Sequence, residues 1–136
     1  GGPASAARKG DYLRPSVHFR EGARSFPVRD GSYTDDEIFG PDVAIYVVRN
    51  LEEAVALNNR PPYGLVASVF TRSRKKFEKV RQAAQDGLIH WNVGTVRSSA
   101  RLRFGGVKRS GNDRPAGSFS PFYCTLPTAS LEKSRP

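Results

Sequence analysis

Cysteine is almost missing from this 136-residue chain. Cys124 stands alone, which excludes an internal disulfide framework and argues against a cysteine-rich zinc site. Methionine is missing altogether, the initiator included, so a processed chain or a piece of a longer one is expected. No apolar run approaches the roughly 18–20 residues that span a bilayer, and no membrane partner is expected. Gly1 to Gly10 contain no apolar core of a secretory signal, so the expected location is cytoplasmic. His18 and His90 are isolated, with no third ligand patterned around them, so both are read as structural and no metal site is assigned.

What is present suits a small soluble domain, with 38% hydrophobic and 26% charged residues. The net charge of +9 is unevenly placed. Residues 1–70 carry 8 basic and 9 acidic residues, whereas 71–136 carry 14 basic and 4 acidic. That asymmetry favours anionic partners, nucleic acid among them. No helix-turn-helix, zinc-finger or RNA-recognition signature supports the nucleic-acid reading, which stays a weaker alternative. The run Arg72 to Lys79 reads more simply as the solvated face of a helix.

Hydrophobic patterning divides the chain into a loop-rich segment 1–34, an α/β module 35–118 and a tail 119–136. One strand is expected near Ser16–Phe19, and a firmer one at Val43-Ala-Ile-Tyr-Val-Val48. Asn50 is placed to cap a helix, with Glu53 completing a capping-box-like pair. Leu51, Ala54, Val55 and Asn58 share one face of that helix, and Pro61-Pro62 end it. Leu65 to Phe70 reads as a strand. Thr71 is expected to cap a second helix, with Phe77, Val80 and Ala84 inward and Gly87 as its stop. Leu88 to Trp91 makes a further strand, a glycine-rich loop spans Phe104 to Gly111, and an extended segment runs from Phe119 to Leu126. Strand–helix–strand–helix–strand predicts an α/β fold with a partial, mostly parallel sheet.

Five blocks in register carry a resemblance. Asp36-Glu37-Ile38-Phe39-Gly40-Pro41 resembles the Glu-x-Phe-Gly-Pro motif of the aldehyde dehydrogenase superfamily. Leu57-Asn-Asn-Arg-Pro-Pro-Tyr-Gly-Leu65 and Ala67-Ser-Val-Phe-Thr71 are similar to its next turn and strand. Asp86-Gly-Leu-Ile-His-Trp-Asn92 and Phe104-Gly-Gly-Val-Lys-Arg-Ser-Gly111 resemble the later strand and glycine loop. The tail, with Ser110-Gly-Asn-Asp-Arg-Pro115 and Phe122 to Ser130, is similar to the succinylglutamate-semialdehyde branch.

The resemblance implies NAD(P) as the family cofactor. It implies that Glu37 occupies the carboxylate position beside the nicotinamide ribose, where an acceptor-only group suits two hydroxyl donors. Phe39 would pack near the nicotinamide, and Gly105 and Gly106 would let backbone pass close to the substrate cavity. Phe119–Leu126 matches the family's extended oligomerisation-type strand. Cys124 lies on the wrong side of the motif for the family's nucleophile and is read as a buried apolar thiol. No cysteine precedes Glu37 in this chain, and no strand-linked Gly-x-Gly-x-x-Gly replaces the family's dinucleotide domain.

No catalytic residue is therefore assigned, and the chain alone is expected to bind no cofactor and to be inactive. The substrate loop is read as Arg97, Arg101, Phe104, Gly105 and Gly106. Arg103 stands where the family has proline, and Arg97 and Arg101 are additional. These arginines suit either a succinyl carboxylate held bidentately or drift toward another anionic partner. The leading expectation is a non-catalytic aldehyde dehydrogenase-like module acting through self-association or a complementing protein chain. The alternative is a piece of a semialdehyde dehydrogenase that is active only with its missing part.

Overall fold

The structure, a computed structural model, describes residues 12–21, 36–111 and 116–135. Ser16–Glu21 (β1) runs parallel to Asp42–Val47 (β2), with Val17 beside Val43 and Phe19 beside Ile45. The pair is held at its start by Ser16 N–H donating to Pro41 O at 2.9 Å. The Ser16 hydroxyl donates to Asp42 Oδ1, which also lies 3.1 Å from His18 Nε2. His18 is thus tied into the strand pair, as a structural role requires.

Leu51–Asn59 (α1) begins as its capping residue dictates: Asn50 Oδ1 accepts from Glu53 N–H at 2.8 Å. The return bond falls one residue earlier than in the usual box, because Glu53 Oε2 accepts from Arg49 N–H at 2.8 Å. Arg60 closes the helix just before Pro61. Tyr63–Gly64 (β3) and Val66–Val69 (β4) follow.

Arg74–Ala83 (α2) is capped by Ser73, whose Oγ accepts from Lys76 N–H at 3.2 Å, not by Thr71 as expected. Thr71 is already engaged, with its N–H held by Asn92 Oδ1 and its carbonyl by Trp91 Nε1. The helix stops at Ala84 in extended conformation, three residues before the expected Gly87. Phe77 and Val80 are buried, as their spacing predicts, and are the only buried hydrophobic residues among those described. Arg74 and Arg81 both bond Glu78, while Lys75, Lys76 and Lys79 stand exposed, so this run is a solvated helix face.

Leu88–Trp91 (β5) pairs in parallel with β4, Val66 beside Leu88 and Val69 beside Trp91. Arg103–Phe104 (β6), Val107–Lys108 (β7) and Ala116–Gly117 (β8) are two-residue strands. β7 pairs antiparallel with β3, and β6 with β8. The expected extended segment Phe119–Leu126 instead contains a helical turn, Ser120–Tyr123 (α3), with Pro121 in its first turn where a missing N–H costs nothing. Cys124, just beyond it, is exposed and not buried, because no core lies at this surface turn.

The α/β class holds, with mostly parallel pairing. Its longer ladders are two separate parallel pairs, β1–β2 and β4–β5, so the described strands do not form one continuous sheet. The chain divides into two compact units. One joins Gly1–Pro62 to Ser73–Gln85, and the other joins Tyr63–Arg72 to Asp86–Pro136.

Candidate functional site

In the first unit, the segment leading into β2 is extended and then tightly turned, with Gly40 N–H donating to Ile38 O at 3.0 Å and Asp42 N–H to Gly40 O at 2.9 Å. Alternation along this segment sorts its side chains. Asp36 and Ile38 line a cavity of about 550 Å³ with Ala44, Tyr46, Ala54 and Leu57. Glu37 and Phe39 do not line it. Glu37 is exposed, and Phe39 is 89% exposed.

The second unit carries the other candidate residues. Asn92 ends β5 in the left-handed region at φ 54°, with its side chain clamping Thr71: Oδ1 accepts from Thr71 N–H at 2.8 Å and Nδ2 donates to Thr71 O at 3.1 Å. The loop beyond is folded back by Arg97 N–H on Gly94 O (3.3 Å) and Leu102 N–H on Ser99 O (3.1 Å). Arg97 thereby joins Ser98, Ser99, His90 and Trp91 around a cavity of about 340 Å³. His90 Nδ1 sits 3.2 Å from Gly94 O, a contact the Nδ1–H tautomer makes as donor.

Arg101 does not line that cavity, and Arg103 is committed elsewhere, with its guanidinium 3.2 Å from the centre of the Phe119 ring. Among the described residues, no carboxylate pairs with Arg97 or Arg101. Phe104 is partly exposed, and Gly106 is buried. A Cβ on Gly106 would overlap the Ser110 carbonyl, and one on Gly87 would overlap the Gly105 carbonyl. Backbone here passes against backbone, which is why glycine is required.

Sequence reading had missed Ser98, Ser99 and His90 as cavity residues. The signal available was the Arg97-Ser98-Ser99 order after a strand end, a cation followed by two hydroxyls.

The profile of the aldehyde dehydrogenase family matches residues 2–126. The chain belongs to the aldehyde dehydrogenase family. An N-succinylglutamate 5-semialdehyde dehydrogenase of Legionella pneumophila (strain Corby) is 39% identical over 99 residues, 73% of this chain and 20% of that relative. Another from Cronobacter sakazakii is 32% identical over 130 residues, 96% of this chain and 25% of that relative. The chain thus spans a fifth to a quarter of the length of these relatives. Among solved structures, aldehyde dehydrogenase 21 of Physcomitrella patens, in complex with the reaction product succinate, has TM-score 0.68 and 29% identity, covering 81% of this chain and 21% of that one. The 1-pyrroline-5-carboxylate dehydrogenase of Thermus with bound NAD has TM-score 0.70 and 27% identity, covering 82% and 21%.

Glu37 supplies acceptors for hydroxyls and Phe39 an open aromatic face, but the described residues contain no glycine loop at a helix N-terminus to cradle a pyrophosphate.

Proposed function

We propose that this chain performs no aldehyde chemistry alone and works through protein association. It adds a cofactor-edge carboxylate and a substrate loop, each of which another region of the family's chain completes. The observation that carries this reading is the Glu37–Phe39 segment, where a carboxylate and an 89% exposed phenyl ring stand side by side in solvent. An aromatic so exposed has no packing role within the described residues, and the motif around it is the family's. In the completed site, Glu37 accepts hydrogen bonds from the ribose hydroxyls and Phe39 packs beside the nicotinamide ring. Phe104, Gly105 and Gly106 border the substrate cavity.

A second reading deepens the first: the completed assembly oxidises a carboxylate-bearing semialdehyde. Arg97 beside Ser98 and Ser99 favours it, because a guanidinium with adjacent hydroxyls suits a carboxylate. So does the similarity to N-succinylglutamate 5-semialdehyde dehydrogenases.

The test mixes the chain with a family polypeptide that carries the cysteine and dinucleotide regions, then follows semialdehyde-dependent NADH formation and complex mass by light scattering. The expected result is no NADH from this chain alone, and complex formation with activity on mixing. NADH formation by the chain alone refutes the non-catalytic reading. Failure of any family polypeptide to associate refutes the association.

A further inference from the structure

We infer that the face of β1–β2 bearing Val17, Phe19, Val43, Ile45 and Val47 is the docking seam for the cysteine- and dinucleotide-bearing region of an aldehyde dehydrogenase chain. The inference rests on the proposed function and names the surface through which that association runs.

The starting point is the β2 sequence, apolar from Val43 to Val48 without the polar alternation of a strand that has one wet face. Parallel strands with such runs are built to be covered on both faces. Among the described residues, only one face is occupied. Ala44 and Tyr46 turn toward α1, where they line a cavity with Ala54 and Leu57, and the polar trio Ser16, His18 and Asp42 bond one another on the same side. The opposite face is bare: Val17 is 65% exposed, Phe19 53%, Val43 51%, Ile45 45% and Val47 48%. The register aligns Val17 with Val43 and Phe19 with Ile45, so the patch is contiguous. At about half exposure each, these side chains make an apolar surface of roughly 300–500 Å², in the range of the largest apolar patch on a typical monomer, which is often functional. A two-stranded pair is also marginal by itself and gains from a cover.

The occupant follows from what the chain leaves out. It spans 20% of one relative and 25% of another, so about three-quarters of the family's chain lies outside it. A second copy fits less well. The patch is about half of the roughly 800 Å² per partner that a stable interface uses. A body several times larger can extend its contact beyond the patch, to the exposed Leu13 and Phe39 of the same unit.

The experiment co-expresses the full chain with a tagged Legionella relative shortened by the stretch this chain matches, and weighs the purified complex by light scattering. Wild type should form a 1:1 complex. Ile45→Asp, which forces a carboxylate into the seam, should weaken it at least about a hundredfold. Val17→Lys, at the most exposed of the five positions, tests the seam where the free chain tolerates a charge, and should weaken the complex as well. Leu131→Asp, at a fully solvated site outside the seam, should change nothing. Circular dichroism of each free variant establishes that it remains folded. A complex that forms equally with folded Val17→Lys and Ile45→Asp overturns the seam while leaving association intact. A wild-type chain that dimerises through this face and ignores the shortened relative overturns the occupant. No association at all overturns both the seam and the function it rests on.

Discussion

Replacing Asn92 tests the local reasoning most sharply, because one residue there does two separable jobs. Its backbone sits at φ 54°, where a Cβ-bearing residue other than Asn or Asp is disfavoured by about 1–2 kcal/mol. Its side chain holds Thr71 N–H at 2.8 Å and Thr71 O at 3.1 Å, exposed bonds worth about 0.5–1 kcal/mol each. Asn92→Gly keeps the backbone at ease and loses both bonds, so it should cost about 1–2 kcal/mol. Asn92→Ala loses the bonds and adds the conformational penalty, for about 2–3 kcal/mol. Asn92→Asp keeps the acceptor for Thr71 N–H and suits the left-handed backbone, but it sets a carboxylate oxygen against the Thr71 carbonyl, so it should cost about as much as Asn92→Gly. The chain's one tryptophan is therefore the reporter, since Trp91 Nε1 donates to the same Thr71 carbonyl at 2.8 Å. Urea titrations followed by its fluorescence should show midpoints falling by roughly 0.5–1 M for each 1 kcal/mol lost. Equal midpoints for the Gly and Ala variants would refute the left-handed argument. A Gly variant as stable as wild type would show that the clamp contributes nothing.

Asn50→Ala removes the acceptor that satisfies Glu53 N–H and should lower stability by about 1 kcal/mol, read from the urea midpoint. Gly87→Ala drives a Cβ into the Gly105 carbonyl, backbone against backbone, and should cost at least about 1–3 kcal/mol. Gly94→Ala, with nothing within 4 Å, should be silent by comparison. Hydrogen bonds from Arg81, then Arg74, hold the Glu78 carboxyl below its ordinary value of 4.5. A lowered folded value means that this contribution is complete above 4.5 and is lost as pH falls from there through the folded value. Helicity by circular dichroism should therefore decline on that acid limb, and Glu78→Gln should flatten it.

Much of the fold was legible because it is written locally. The Val43–Val48 run, the Asn50 cap, the Pro61 stop and the Phe77–Val80 spacing each act within a few residues, and each appears where the sequence placed it. The two misreadings along α2 share one cause, a residue whose local preference was overruled by a distant partner. Thr71 is a good cap, but Asn92 and Trp91, some twenty positions on, occupy its backbone, so Ser73 caps instead. Gly87 looks like a helix stop, yet its missing side chain serves the approach of Gly105. The tail failed differently. Phe119 to Leu126 has strand composition, but Pro121 suits a first helical turn, and among the described residues no strand is hydrogen-bonded along that stretch.

The sequence pattern marks the candidate residues without saying which way they face. Its motif located Glu37 and Phe39, while the pleat of the extended segment decided that Asp36 and Ile38, not they, turn into the adjoining cavity. The loop after Asn92 has no period at all, so the sequence could not tell which of its arginines does what. Carboxylate binding and drift stood as rival accounts of all three, but the structure gives the arginines separate surroundings. Arg103 is spent on the Phe119 ring, Arg101 lies outside the cavity, and Arg97 alone joins Ser98 and Ser99 at its wall. The carboxylate account therefore rests on Arg97. In the complemented assembly, Arg97→Ala should raise the KM for a carboxylate-bearing semialdehyde by about 10–100-fold, the loss of a charge-assisted pair, with little change for an uncharged aldehyde. Arg101→Ala should leave both constants near wild type. Equal effects of the two variants, or an Arg97 effect that ignores the substrate's charge, would leave drift as the better account of the loop.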